Sequence, residues 1–186
     1  MYWKNVNDVR NKKTFSPPYI LEKTMIILRS MTSVFVLNDD KVLLIYRIGS
    51  RVITSPKWCG VGGHFEKEEL NDPYACALRE LNEETGMKAE DICDFRLKYV
   101  TLSKKVDEIR QNYYFFANLV NRDFVIPECD EGRLEWINIG EALKLELPFS
   151  AKYCFRHYFE TGRNDEKIYA GIANDGVGRV MSIDGD

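Results

Sequence analysis

The sequence lacks any apolar run long enough to cross a membrane. Apolar runs such as residues 24–28 and 42–46 are only the size of strands, whereas a membrane helix needs about 20 residues. The first ten residues also lack the apolar core of a signal peptide. We therefore expect a cytoplasmic protein without a membrane partner.

Cysteine is scattered, and neither sign of charge is in large excess. The five cysteines are an odd number without a Cys-x-x-Cys pair, which argues against a disulfide framework and against a zinc site. The 26 Lys and Arg residues face 29 Asp and Glu residues, so there is no strong signal for nucleic-acid binding. Because 45% of the residues are hydrophobic and 12% are aromatic, we expect a folded core.

The length of 186 residues fits one domain. Residues 1–22 are polar and are interrupted by Pro17-Pro18, so we predict an N-terminal arm there. A single domain is predicted over residues 23–186.

The domain mixes short apolar runs with turns and helices. The turn-forming residues Asn38-Asp39-Asp40 predict a hairpin between residues 26–37 and 41–46. The same reasoning predicts strands at residues 95–104, 109–119 and 134–139, helices at 141–146 and 149–161, and a C-terminal hairpin of residues 167–173 and 177–183. Because the elements do not alternate as regular βαβ units, we expect an α+β fold with helices on a mixed sheet.

One further helix is marked by strong signals at both ends. Asp72 followed by Pro73 predicts its start, and Gly86 predicts its end. The helix is expected to have about three to four turns of 3.6 residues.

Three glutamates share one edge of this helix. Glu80, Glu83 and Glu84 are spaced at i, i+3 and i+4, so they fall within a sector about 100° wide. Their repulsion near the negative end of the helix requires a positive partner, either Arg79 or a hard divalent cation. A solvated acidic face is the ordinary interpretation. Here, however, Gly62-Gly63 precedes the helix, and glycines can bring a backbone carbonyl close to a bound metal.

Residues 63–87 resemble the Nudix box, G-x5-E-x7-R-E-U-x-E-E-x-G-U, where U is a bulky aliphatic residue. The second half matches without a gap from Arg79 onward. Counting forward from Gly63, the first box glutamate is Glu69. Counting back from Arg79, the position is Asn71, so the chain carries two extra residues here. The identity of that glutamate therefore stays open.

The resemblance implies a fold, an activity and a metal site. Nudix hydrolases are α/β/α sandwiches around a mixed sheet, and they cleave the pyrophosphate bond of nucleotides, which are small-molecule substrates. By resemblance, Mg²⁺ or Mn²⁺ would bind the carbonyl of Gly62 and the side chains of Glu80, Glu83 and Glu84, and Arg79 would orient these carboxylates. Metal-activated water would then attack phosphorus. Many members pair, so a homodimer is also implied.

Beyond the box, the order of elements resembles the subgroup that removes oxidised purine nucleoside triphosphates. That subgroup has an additional glutamate before an aromatic-bearing strand, and Glu131 stands in the comparable place. We interpret Glu131 as a further metal ligand or general base; a surface carboxylate is the alternative interpretation. Glu128 and Asp130 are rival candidates in the same turn.

Three residues before the box are predicted to bind substrate: Arg47, Lys57 and Trp58. The cations suit phosphate, although solvated loop charges and a packing tryptophan are the ordinary interpretations. Cys59 stands where the subgroup often has a base-reading amide, and residues 147–150 lack its base-reading acids. Both departures weaken the case for an oxidised guanine base.

We therefore predict a Mg²⁺-dependent Nudix hydrolase with oxidised-purine nucleoside triphosphates as the first substrates to test. ADP-ribose, a dinucleoside polyphosphate and capped RNA are alternative substrates within the family. An isopentenyl diphosphate isomerase would need a catalytic cysteine such as Cys59. A non-catalytic nucleotide-sensing module is the last alternative, but such modules usually lose the box carboxylates.

Overall fold

The computed structural model of the chain describes residues 25–48, 56–174 and 177–182. The predicted arm of residues 1–22 lies outside this part of the chain. In the described part, no helix is both long enough and apolar enough to span a bilayer. All five cysteines lie within it, and all five are free thiols, as their spacing predicted.

The described residues form one mixed sheet of eight strands: β1 Ile27–Asn38, β2 Lys41–Arg47, β3 Lys57–Cys59, β4 Ile92–Lys104, β5 Glu108–Leu119, β6 Arg133–Asn138, β7 Tyr169–Asn174 and β8 Val177–Ser182. Their order in the sheet is β3-β2-β1-β5-β4-β7-β8, with β6 paired to β2. Strand β1 is parallel to β5, and β4 is parallel to β7, while the other pairs are antiparallel.

Strands β1 and β2 form the hairpin predicted from the sequence, and then they diverge. Asp39 takes the left-handed conformation in the turn, with φ of 53°, and only two residue pairs join the strands. Where β2 diverges, the edge of β1 pairs instead with residues 60–63, here called the glycine segment. Thr32 N–H donates to Gly63 O at 2.9 Å, and Val34 N–H donates to Val61 O at 2.6 Å. This pairing fixes the glycine segment beside the sheet.

Helix α1, Pro73–Thr85, begins and ends where the sequence predicts. The carboxylate of Asp72 accepts a hydrogen bond from Ala75 N–H at 3.0 Å. Gly86 ends the helix with φ of 72°, and its N–H donates to Asn82 O at 2.8 Å. Both ends are therefore set by local residues.

The predicted helix at residues 141–146 is shorter and begins earlier. Helix α2 is Ile139–Ala142, and helix α3 is Phe149–Glu160. The amide oxygen of Asn138 accepts a hydrogen bond from Gly140 N–H at 2.9 Å. This cap places the start of α2 at Ile139, earlier in the chain than predicted. After Ala142, the bond from Leu145 N–H to Ala142 O tightens the chain into turns. Sequence reasoning missed this Asn cap.

The helices cover opposite faces of the sheet. Leu81 of α1 belongs to the same core cluster as Val34 and Val36, whereas the ring of Phe155 of α3 lies 4.9 Å from that of Phe35. Successive strand residues point to opposite faces, so β1 supplies both cores. The fold is the predicted α+β arrangement, an α/β/α sandwich around a mixed sheet, with the β7–β8 hairpin at its C-terminal end.

Candidate active site

The three glutamates of α1 do not share one environment. The whole residues Glu80 and Glu84 are only 8% and 3% exposed, whereas the side chain of Glu83 is 56% exposed. A purely solvated acidic face is therefore excluded for two of the three. Buried carboxylates need hydrogen bonds or positive partners.

Glu84 lies against the glycine segment. One of its oxygens accepts the N–H of Gly62 at 3.0 Å, and the other pairs with the guanidinium of Arg47. Burial raises the pKa of Glu84 to about 7, although Arg47 acts in the opposite direction. Helix α1 and the segment before it are thus joined through one carboxylate.

Arg47, the last residue of β2, reaches three oxygen groups. Its Nη2 donates to the carbonyl oxygen of Gly62 at 2.9 Å and to Glu84, while its Nη1 donates to Glu131. The hydrogen bond from Arg47 holds the pKa of Glu131 below its usual range. The structure therefore brings together Arg47, Gly62, Glu84 and Glu131, all four of which were selected from the sequence.

Arg79 organises the other carboxylates. Its Nε and Nη2 donate to the two oxygens of Glu69 at 2.7 and 2.9 Å. Its Nη1 lies 2.8 Å from an oxygen of Glu83 and 3.0 Å from one of Glu80. Its Nη2 also donates to the carbonyl of His64 at 3.0 Å. One guanidinium thus ties the helix to the loop before it.

Glu69 is the carboxylate that pairs with the box arginine. The sequence left Glu69 and Asn71 as competing positions for the first box glutamate. Glu69 is the residue that forms a bidentate contact with Arg79. The two extra residues therefore lie between Glu69 and Arg79, where a turn at Leu70 and Asn71 precedes the helix. The insertion leaves the loop–helix connection intact.

A cavity of about 520 Å³ opens beside the glycine segment and helix α1. Its lining includes Arg47, Gly62, Glu80 and Glu131. Neutral polar side chains also face it, namely Ser33, Asn112, Tyr114 and Ser150, as do the basic side chains of His64, Lys104, Lys105 and Arg110. Acidic, neutral and basic groups thus share one concave space.

Two of the predicted substrate-binding residues lie elsewhere. Among the described residues that line the cavity, neither Lys57 nor Trp58 is present. The ring of Trp58 lies 5.1 Å from that of Tyr46, and the guanidinium of Arg133 lies 5.7 Å from both rings. Trp58 also packs against the core on the α3 side of the sheet, whereas the glutamates belong to α1.

Several lining residues were missed in the sequence. Ser33 lies on β1, while Asn112 and Tyr114 lie on β5, which is parallel to β1. Tyr114 belongs to an aromatic run that is typical of a core strand, yet its hydroxyl lies 2.7 Å from that of Ser150. Gln111 and Asn112 stand just before that aromatic run, and their polarity was the one signal in the sequence that β5 could line a cavity.

The donor chemistry fits a hard divalent cation. The carbonyl of Gly62 and the carboxylates of Glu84 and Glu131 are oxygen donors, which Mg²⁺ and Mn²⁺ prefer, and these groups already surround one cation, the guanidinium of Arg47. Within the described residues, no three acidic, histidine or cysteine side chains form a preassembled metal cluster. The carboxylates face arginines instead.

Cys59 lines the cavity but is a poor candidate for a catalytic thiol. Only 8% of the residue is exposed, and burial raises the pKa of its thiol to about 11. Thiolate, the reactive form, is therefore scarce at neutral pH. This observation disfavours the isomerase alternative.

The fold and this cavity together define a class of proteins: α/β/α sandwiches in which helix glutamates face a glycine segment. The model of the NUDIX domain family matches residues 28–158. The chain therefore belongs to the NUDIX domain family and is a Nudix hydrolase, an enzyme that acts on phosphorus-containing anhydrides. Members of this family generally use a divalent metal ion.

Solved structures share the fold. The Mutator MutT protein from Bacillus halodurans is 21% identical, with a TM-score of 0.63, and the match covers 82% of this chain and 97% of that chain. The MutT protein from Methanosarcina mazei Go1 is 19% identical, with a TM-score of 0.58 and coverage of 73% and 95%. A C. elegans Ap4A hydrolase is 17% identical, with a TM-score of 0.58 and coverage of 75% and 100%.

Proposed function

We propose that this Nudix hydrolase cleaves a pyrophosphate bond of a nucleoside triphosphate or a related nucleotide in a Mg²⁺-dependent reaction. The observation that carries the proposal is the convergence of Gly62, Glu84 and Glu131 on one cationic group at the cavity. The cavity volume of about 520 Å³ also suits a nucleotide, because small-molecule sites typically measure about 300–1,000 Å³.

The residues proposed to hold the ion are Gly62, Glu80, Glu83, Glu84 and Glu131. When bound, Mg²⁺ or Mn²⁺ would supply activation of water and neutralisation of charge on the diphosphate.

The protein's own groups have separate proposed roles. Glu131 is the proposed general base, because its carboxylate lines the cavity and can accept a proton from water. Arg79 positions Glu80 and Glu83 through its ion pairs. Arg47 is a proposed phosphate-binding residue that lines the cavity. Lys57 and Trp58 do not line the cavity, so a substrate-binding role for them rests on the sequence alone, and the contacts of Trp58 support packing instead.

The nucleobase is proposed to meet neutral hydrogen-bonding groups. Ser33, Asn112 and Ser150 line the cavity, and each can both donate and accept a hydrogen bond. Such groups suit the polar edge of a purine without requiring the acids that the sequence lacks at residues 147–150. Oxidised purine triphosphates remain the first substrates to test, alongside the unmodified ones.

A panel of nucleotides tests the proposal. The full chain is incubated with Mg²⁺ and one of dGTP, 8-oxo-dGTP, ADP-ribose, a dinucleoside tetraphosphate or capped RNA. The reactions are run in water enriched in ¹⁸O, and the products are separated and identified by mass spectrometry. We expect a nucleoside triphosphate to give monophosphate and pyrophosphate, with ¹⁸O in one product. Hydrolysis no faster than that of Glu84→Gln, for every substrate, would overturn the proposal.

A dinucleoside polyphosphate is the second candidate. Lys104, Lys105 and Arg110 line the same cavity as Glu80 and Glu131. Phosphate groups beyond those of a single triphosphate would therefore lie near these cations. If this candidate is correct, replacing Lys104 and Lys105 with methionine should raise KM for the dinucleotide more than KM for dGTP. Equal effects on both substrates would favour the nucleoside triphosphate.

A further inference from the structure

The guanidinium of Arg47 contacts the very oxygen groups that are proposed to bind the metal. It donates to the carbonyl of Gly62 at 2.9 Å and pairs with the carboxylates of Glu84 and Glu131. Only 12% of the Arg47 side chain is exposed. A planar guanidinium has five N–H donors, so it can satisfy three acceptors at once.

These acceptors need a positive charge. The side chain of Glu84 is 2% exposed, and Glu131 lies on the same guanidinium. Two carboxylates and a carbonyl oxygen that face each other in a partly buried site repel strongly, because the effective dielectric constant is low there. An arginine at this place removes the repulsion.

A bound Mg²⁺ ion would compete for the same oxygens. Mg²⁺ binds oxygen ligands at about 2.0–2.1 Å and demands near-octahedral geometry. Donor N–H groups about 2.9 Å from a shared oxygen would lie close to that ion, and the two cations would repel each other. The approach of the ion therefore favours the release of at least one of these acceptors by Arg47.

We propose that Arg47 is the internal counter-cation of this site. It holds the ligand groups of Gly62, Glu84 and Glu131 together while no metal is bound. When a divalent ion binds, Arg47 turns away, and its guanidinium becomes available to the phosphates of the substrate. Metal binding thus precedes and prepares substrate binding. This inference rests on the proposed metal-dependent function.

Arg79 provides a matched control within the same cluster. It pairs with Glu69, Glu80 and Glu83, but Glu69, with which it forms a bidentate contact, is not a proposed metal ligand. Metal binding should therefore leave the Glu69 contact of Arg79 in place. The two arginines should respond differently to the same ion.

Nuclear magnetic resonance of the arginine side chains tests the proposal directly. The full chain is labelled with ¹⁵N at arginine, and the signals are assigned with Arg47→Lys and Arg79→Lys. In metal-free protein, the Nη groups of Arg47 should rotate slowly and give separate signals. Saturating Mg²⁺ should merge or shift these signals, whereas the Nε signal of Arg79 should change little.

Metal affinity gives a second measurement. By titration calorimetry, Arg47→Met should bind Mg²⁺ or Mn²⁺ about tenfold more tightly than the wild type, because charged hydrogen bonds no longer have to be broken. Arg47→Lys, which keeps the charge but not the three-way contact, should fall between them. Arg96→Met, at an exposed ion pair with Glu166, should match the wild type.

The outcomes separate this inference from the proposed function. If Mg²⁺ binds and supports hydrolysis while the Arg47 signals and the affinity of Arg47→Met stay unchanged, the inference is overturned and the proposed function stands. A chain that binds no divalent ion and hydrolyses no nucleotide overturns both.

Discussion

Gly63 lies directly against the carboxylate of Glu80. A Cβ on Gly63 would fall 2.5 Å from one oxygen of Glu80 and 2.7 Å from the other, which is closer than non-bonded atoms approach. The glycine segment and helix α1 therefore touch at this point only because Gly63 has no side chain. The position of a proposed metal ligand depends on that missing methyl group.

Gly63→Ala should reduce activity with little loss of stability. The clash involves the end of a flexible side chain, so Glu80 can turn aside, and the free energy of unfolding should fall by less than about 1 kcal/mol. Displacing a catalytic group by about 1 Å can cost about 10²-fold in rate. Steady-state kinetics and urea unfolding check both expectations.

Gly62→Ala is the contrasting variant. Its Cβ would lie 2.5 Å from the backbone oxygen of Thr32, and the φ of Gly62 is 144°, a conformation that suits glycine. Backbone cannot turn aside, so we expect a loss of about 3 kcal/mol in the free energy of unfolding. Equal stability of the two variants, or full activity of Gly63→Ala, would contradict this account.

Local signals in the sequence predicted much of the fold. The Asp72 cap, the Gly86 stop and the turn at Asn38 depend on neighbours only a few residues away, and the structure has an element boundary at each. The start of α2 was wrong because the capping role of Asn138 went unnoticed. Local chemistry is readable when its residues are recognised.

The site was less predictable because its contacts span the chain. Arg47 and Glu131 are 84 residues apart, and they meet because β2 pairs with β6, with Tyr46 opposite Arg133. No local pattern fixes that register. The family resemblance suggested Glu131, and a position just before the box suggested Arg47, but neither indicated that these two residues would be in contact.

Glu84→Gln should abolish most activity while the protein stays folded. The amide has nearly the same shape, and Arg47 keeps Glu131 as a counter-charge. Loss of one group that contributes electrostatic stabilisation of a transition state typically costs about 10²–10³-fold in kcat, and Glu84 is proposed to contribute through the metal ion that it would hold. The rate with Mg²⁺ and the melting temperature are to be measured together.

Glu83→Gln and Glu90→Gln complete this series. Glu83 is the proposed metal ligand that is partly exposed, so its variant should lose activity with no measurable change in stability. Glu90 is an exposed glutamate outside the site, paired loosely with Lys88 at 4.0 Å, and its variant should be fully active. Wild-type turnover in both Glu83→Gln and Glu84→Gln would remove the proposed mechanism.

Glu69→Gln should make stability less dependent on pH in the acid range. The hydrogen bonds from Arg79 lower the pKa of Glu69 from 4.5 to about 2 in the folded protein. A depressed pKa means that the ionised form stabilises the fold above the unfolded pKa, and that this contribution is lost as pH falls through the folded pKa. Glu69 thus adds stability that disappears between about pH 4.5 and about pH 2.

Urea unfolding at a series of pH values measures this effect. Near neutral pH, Glu69→Gln should be less stable than the wild type by about 2 kcal/mol, the size of a charged hydrogen-bond pair. The difference should shrink steadily below about pH 4.5. A difference that stays constant down to about pH 3 would show that Glu69 is not held ionised by Arg79.

Trp58→Phe separates packing from substrate binding. Trp58 contacts Tyr46 and Arg133 on the α3 side of the sheet, so the smaller ring should lower the free energy of unfolding by about 1 kcal/mol through weakened aromatic and cation–π contacts. KM for the best nucleotide should stay within about twofold. Trp136→Phe, at a tryptophan packed on the α1 side, is the matched control. If Trp58→Phe instead raises KM about tenfold at unchanged stability, the tryptophan contacts the substrate, and the base is bound nearer to β3 than the cavity lining indicates.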